Sequence, residues 1–148
     1  MKYLFIWALL GIVGLLIEVV FTGISSVLRK DWAGTSRTFL FMHPVYATAG
    51  MAVYVIYNNV IISNNPIIDA VVLAIAFYVP LFYGFEALSG LASLKLFGRI
   101  LWDYGHSRWS PMGLINFKYA PAWLILALLM HPVIHLLSYA VDMFMEKI

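Results

Sequence analysis

The segment YLFIWALLGIVGLLIEVVFTGISSV, residues 3–27, decides the fold. It is long enough to cross a bilayer as one helix and carries a single charged residue, Glu18. It is apolar all round, so no face of it suits water. A carboxylate in hydrocarbon is costly, so Glu18 is expected to face protein and to be used there. Glu86 repeats the situation inside a later apolar run. The two together predict a polytopic membrane protein with a polar interior. A cleaved signal peptide is the competing reading of the first segment. Two features argue against it: the apolar stretch outruns a signal core, and the best cleavage candidate, Gly23-Ile24-Ser25, lies beyond Glu18.

The rest of the chain agrees. Of 148 residues, 64% are hydrophobic and 11% charged, and the mean hydropathy is +0.92. Residues 38–68, 70–85 and 119–141 contain no Asp, Glu, Lys or Arg. The expected fold is all-α, an integral membrane four-helix bundle forming one transmembrane domain over 1–148. Its spans cover about residues 3–27, 39–62, 66–97 and 119–145, with an interfacial loop between spans three and four. Asn65 is the expected cap of span three, Pro66 its first residue, and Asp69 its acidic first turn. Pro80, Gly84 and Gly90 are its expected kink points. There are no cysteines, which excludes disulfides and thiol ligands. A net charge of +2 with no long basic run argues against nucleic acid.

The polar residues gather at one end of such a bundle. Glu18 and Glu86 both lean toward the loops that follow their spans. His43 enters span two from that side, and Asp103 and Tyr104 lie in the loop above. The helical neighbours of Glu18 are Gly11, Gly14, Thr22 and Ser25, and those of Glu86 include Tyr83, Ser89, Gly90 and Ser93. Small residues at this spacing permit close helix approach. The candidate ligand-binding residues are therefore Glu18, His43, Glu86, Trp102, Asp103, Tyr104 and Arg108, the last for its charge at the rim. No nucleophile elbow or phosphate loop is present, so no catalytic residue and no cofactor is expected. His131 and His135 stand one turn apart, a spacing that can chelate a metal. Pro132 distorts that turn and no Glu follows His131, so no metal site is expected. The expected partners are membrane lipids and a second copy or a partner membrane subunit.

One stretch carries a family resemblance. Trp102-Asp103-Tyr104, then Pro111-Met112-Gly113-Leu114-Ile115, then Tyr119-Ala120-Pro121-Ala122-Trp123, resembles the CmpB-type small membrane proteins labelled as ABC-transporter permeases, together with the transmembrane protein 229 group. Gly14-Leu-Leu-Ile-Glu18 and Phe85-Glu86-Ala-Leu-Ser-Gly90 match the same pattern, and His43-Pro44-Val45-Tyr46-Ala47 echoes it more loosely. Gly105 stands where Ser is usual, and Ala47 where Gly is usual. The resemblance implies a permease-like protein of the bacterial plasma membrane binding a small polar or ionic solute. A non-catalytic subunit or scaffold is the alternative, and an enzyme acting on a lipid headgroup is a third.

Orientation follows from the basic residues. Arg29, Lys30, Arg37, Lys95, Arg99, Arg108 and Lys118 fall in or beside the two long loops, against Lys2 and Lys147 at the termini. The positive-inside bias places those loops in the cytoplasm and the termini outside. Trp32, Trp102 and Trp109 suit the cytoplasmic interface, and Trp7 and Tyr139 the opposite one. Cysteines placed at Arg37 and Arg108 are expected to resist an impermeant thiol reagent added outside intact cells. Ready labelling at both would reverse the topology.

Overall fold

The computed structural model describes residues 1–60, 62–63, 65–102 and 104–145. Among them there is no strand. Helix α1 is Lys2–Leu28, α2 is Met42–Asn59, α3 is Pro66–Leu73, α4 is Val79–Phe97 and α5 is Ala120–Met145. A π-helical turn, Ala74–Tyr78, joins α3 to α4 without a break. Short 3-10 turns at Pro111–Gly113 and Phe117–Tyr119 precede α5. Three stretches are long and apolar enough to cross a membrane: Lys2–Leu28, Pro66–Phe97 and Phe117–Phe144. Helix α2 has 18 residues, begins with His43 and Pro44 near its N-terminus and ends on Asn58-Asn59, so it is shorter and more polar than the other three.

Local chemistry explains the boundaries. Asn65 caps α3, its side-chain oxygen accepting from the N–H groups of Ile67 at 2.9 Å and Ile68 at 3.3 Å. Pro66 occupies the first turn, where its missing N–H costs nothing. Asp69 reaches back to accept from the Ser63 amide at 2.8 Å and the Ser63 hydroxyl at 2.9 Å. The π turn has a cause in Pro80. Proline has no N–H to donate and its ring crowds the carbonyl four residues earlier. The backbone just before it widens by one residue, and the Val79 N–H bonds the Ala74 carbonyl. Gly98 ends α4 in the left-handed conformation, φ 69°.

The chain forms two compact units. One is Met1–Ala52 with the chain from Ala140 onward; the other is Val53–Tyr139. In the first, Ile6, Leu10, Met42, Ala47, Ala49 and Val141 are buried. Lys2 pairs with Asp142, and Phe5 stacks on Phe144 with ring centroids 5.9 Å apart. In the second, Val53, Leu73, Tyr78, Phe82, Leu114, Ala127 and Ile134 form the buried set. Many large apolar side chains stay outside, including Leu16, Val20, Leu88, Ile125 and Leu136. A water-soluble surface does not carry such a coat, whereas hydrocarbon accepts it.

Glycines set the approach of α1 to the start of α2. A Cβ at Gly14 would stand 2.4 Å from the Tyr46 Cβ, and one at Gly11 would stand 2.6 Å from the His43 ring. A Cβ at Gly84, in contrast, would meet nothing within 4 Å outside its own helix backbone among the described residues. Gly14→Ala is therefore expected to destabilise the fold by about 1–3 kcal/mol through overpacking. Gly84→Ala is expected to be neutral or to gain up to about 1 kcal/mol from helix propensity. Thermal unfolding of the two variants in the same lipid or detergent checks this. Equal midpoints would remove the packing account of Gly14.

Candidate functional site

Each unit builds its polar site on one intrahelical carboxylate. In the first unit, Glu18 is half-buried on α1. The polar chain after α1 turns back along the helix to meet it. Thr22 begins this: its hydroxyl donates to the Glu18 carbonyl at 2.8 Å and accepts from the Arg37 amide at 3.2 Å. That places the Thr38 hydroxyl on the Glu18 carboxylate, to which it donates. Tyr46 of α2, seated against Gly14, supplies a second donor to the same group. His43 stands apart from this arrangement. Its ring packs on Gly11 and edge-on to Trp7, centroids 5.6 Å apart, with Nε2 3.3 Å from the Ala8 carbonyl. The loop itself is fixed by Asp31, which accepts from the Ser26 hydroxyl at 2.6 Å and the Ala33 amide at 3.2 Å.

In the second unit, Glu86 of α4 is met by the chain between α4 and α5. The Tyr104 hydroxyl donates to Glu86 Oε1 at 3.0 Å. Three features hold Tyr104 in place. Its amide donates to the Gly113 carbonyl at 3.2 Å, the Trp102 indole donates to the Leu114 carbonyl at 3.0 Å, and the Phe117 amide donates to the Trp109 carbonyl at 3.1 Å. Gly90, one turn beyond Glu86, lets Leu114 approach; a Cβ there would stand 2.8 Å from its Cδ2 and 3.6 Å from the Trp102 ring. Asn116, only 6% exposed, accepts from the Lys118 amide at 3.1 Å and so fixes the turn into α5.

Aromatic rings wall this carboxylate. The Trp123 indole lies alongside it without closing a hydrogen bond of ordinary geometry. Tyr83 packs edge-on to Phe117 at 5.3 Å and to Trp123 at 6.3 Å, and Tyr104 packs on Tyr119 at 5.7 Å. Glu86 Oε2, the Tyr83 hydroxyl and the Trp123 N–H are all buried and have no partner among the described residues. One acceptor and two donors are thus left open around a carboxylate whose other oxygen is held. Chemically, such a group can take a proton or accept from a donor-bearing solute.

Of the residues expected at the site, Glu86, Trp102 and Tyr104 come together in the second unit. Glu18 has a separate polar setting in the first, and His43 is an aromatic packing residue of α1 and α2. Arg108 is exposed and lies over the ring of its neighbour Trp109 at 5.6 Å, away from any contact with Glu86. Asp103 lies outside the described residues. His131 and His135 both meet Tyr57, and no group of three metal-ligating side chains occurs among the described residues. Sequence reasoning missed Thr38 and Tyr46 as donors to Glu18, and Tyr83 and Trp123 as walls of Glu86. The available signals were Tyr83, a helical neighbour of Glu86, and Trp123, the one Trp of the last span.

The model of one family, described as "Putative ABC-transporter type IV", matches residues 5–148, and the chain belongs to that family. Searches of curated proteins and of solved structures found no match.

The loop after α1 offers a pH test. The Ser26 hydroxyl, with further donors from Thr35 and Ala33, holds the Asp31 carboxyl below its ordinary value. A depressed carboxyl contributes stability above the unfolded-state value and loses it as pH falls through the folded one. Ser26→Ala is expected to raise the Asp31 midpoint toward the ordinary carboxylate value, read by carboxyl-carbon NMR. An unmoved midpoint would show that Ser26 does not anchor this loop.

Proposed function

We propose, from the premise that the chain belongs to this transporter family, that it is a permease-like membrane protein binding a small polar or ionic solute at Glu86. The observation that carries the reading is the half-satisfied carboxylate. Tyr104 anchors one oxygen, while the other is buried, unpartnered and bordered by two open donors. A group serving only to tie helices together would be expected to use both oxygens, because an orphaned buried acceptor costs about 1–3 kcal/mol. Glu18, met by donors from Thr38 and Tyr46, fits the tying role better.

In this reading α2 completes a four-helix bundle with the three longer spans. The chain between α4 and α5 lies at the membrane interface as a lid, with Trp102 in the headgroup region and Tyr104 reaching down to the site. The basic loops face the cytoplasm of a bacterial cell and the termini face outward. A second copy or a partner membrane subunit completes the solute pathway.

The test is binding by the purified chain in lipid nanodiscs. Unfolding is followed in the presence of a panel of inorganic cations, ammonium, small amines, amino acids and small anions. At least one solute is expected to raise the midpoint; saturation to 100 times Kd corresponds to about 2.7 kcal/mol. Glu86→Gln is expected to fold normally and lose that shift, whereas Glu18→Gln keeps it. A Glu86→Gln protein that retains the full response would place the solute elsewhere. A chain that answers to no member of the panel, and shows no flux when reconstituted alone, would favour the scaffold.

A further inference from the structure

We infer that Tyr57, His131 and His135 form a proton-binding site in the second unit, entered at the exposed His135 and closed at its inner end by the Tyr78 hydroxyl. The two histidines stand one turn apart on α5 and so share a face. Tyr57, near the end of α2, touches both. Its ring meets His131 edge-on, centroids 4.9 Å apart, and its hydroxyl lies 3.1 Å from His135 Nδ1. Exposure falls along the series: His135 is exposed, Tyr57 and His131 are half-buried, and Tyr78 is fully buried. At the inner end, His131 Nδ1 and the Tyr78 hydroxyl are both shielded and have no partner among the described residues. Tyr78 lies within electrostatic reach of Tyr57.

These features exceed what packing needs. An unpartnered buried hydroxyl carries a desolvation cost that a phenylalanine at 78 would not incur. Tyr78 also closes the π turn, a distortion found often at functional sites. A metal is a poorer occupant, since among the described residues no third ligand joins the pair. A proton suits the groups. The His135 imidazole takes it from hydronium, one O–H bond breaking as the N–H bond forms, which leaves water and imidazolium. Its Nδ1–H then donates to the Tyr57 oxygen, which lies 3.1 Å away. The groups that bear on the pair are Tyr57 from α2, which meets both imidazoles, Asp69 from α3, which acts on His131, and, for each imidazole, the other one, while Tyr78 from the π turn acts on Tyr57. Asp69 lies within electrostatic reach of His131. Two imidazolium ions one turn apart repel, so the charge states of the two rings are coupled.

This site is separate from Glu86. Tyr78 and Glu86 lie eight residues apart on one continuous helix, about 12 Å along its axis at 1.5 Å per residue. Phe82 fills the same face between them and packs on Trp123 at 5.6 Å. A proton and a solute would thus occupy different levels, and only the coupling of the two rests on the solute reading of Glu86.

The experiment is a pH titration of nitrogen-15 histidine NMR signals from the purified chain in lipid nanodiscs, which follows all four imidazoles at once. His131 and His135 are expected to titrate as an interacting pair. Tyr57→Phe, which keeps the ring on His131 and removes only the hydroxyl, is expected to move both midpoints by at least about half a pH unit, leaving His43 and His106 in place. His135→Asn is expected to turn the His131 curve into a simple one-proton curve, and serves alone if the Phe variant fails to fold. Two independent one-proton curves, unchanged by Tyr57→Phe or by His135→Asn, would overturn the inference. Glu86→Gln is expected to leave the titration intact, so a failure of the solute reading would leave this one standing.

Discussion

A carboxylate inside an apolar helix cannot be left to lipid, and its need for donors organises this chain. Hydrocarbon offers no hydrogen bonds, so partners must come from the polar segments. Both units solve the problem in the same order. A helix carries the Glu, the polar segment after it doubles back to place a hydroxyl on the carboxylate, and the next helix brings an aromatic donor beside it. Thr38 and Tyr46 do this for Glu18, and Tyr104 and Trp123 for Glu86. The loops are therefore parts of the sites. Their internal bonds, such as Ser26 to Asp31 and Trp102 to Leu114, serve to hold one hydroxyl at one place.

The difference between the two settings lies in how complete they are. Glu18 receives a donor from the loop and another from a helix whose approach is set by Gly14. At Glu86, one oxygen is held and three polar atoms nearby stay open. Rings of Tyr83, Phe117 and Trp123 exclude most solvent while adding few donors. A binding site differs from a tie in this way, because a ligand can only be recognised by groups that the protein itself has not already satisfied.

Much of this was legible in the sequence, and the remainder was hidden for identifiable reasons. The long apolar stretches show themselves by composition, because a helix with no polar face has few other places to go. The start of α3 was readable from Asn65, Pro66 and Asp69, since capping is local chemistry. The small residues Gly11, Gly14 and Gly90 marked the close approaches. What each glycine admits was not readable: His43, Tyr46 and Leu114 are set by packing across helices. Thr38 and Tyr104 as hydroxyl donors depend on how loops fold back over 20 and 18 residues, a long-range matter that periodicity does not carry. Pro80 announced a distortion, but its form as a π turn, and the burial of Tyr78 at the end of it, depends on what the widened backbone packs against. Arg108 drew attention by charge, yet charge at an interface is as well met by water and a neighbouring ring.

The same logic distinguishes the histidines. His43 is committed, its ring edge-on to Trp7, pressed on Gly11 and near the Ala8 carbonyl, so a change in its charge would disturb the seam between α1 and α2. His131 and His135 are less committed, and they share one tyrosine. Pro132 stands between them, so the local backbone lacks one N–H bond and has some freedom to adjust. A group that must gain and lose a proton needs partners able to serve as donor in one state and acceptor in the other. A tyrosine hydroxyl does this by rotating, whereas a backbone carbonyl cannot. That leaves the second unit with two furnishings: ionisable groups that share a tyrosine at His131 and His135, and open polar atoms around a half-held carboxylate at Glu86.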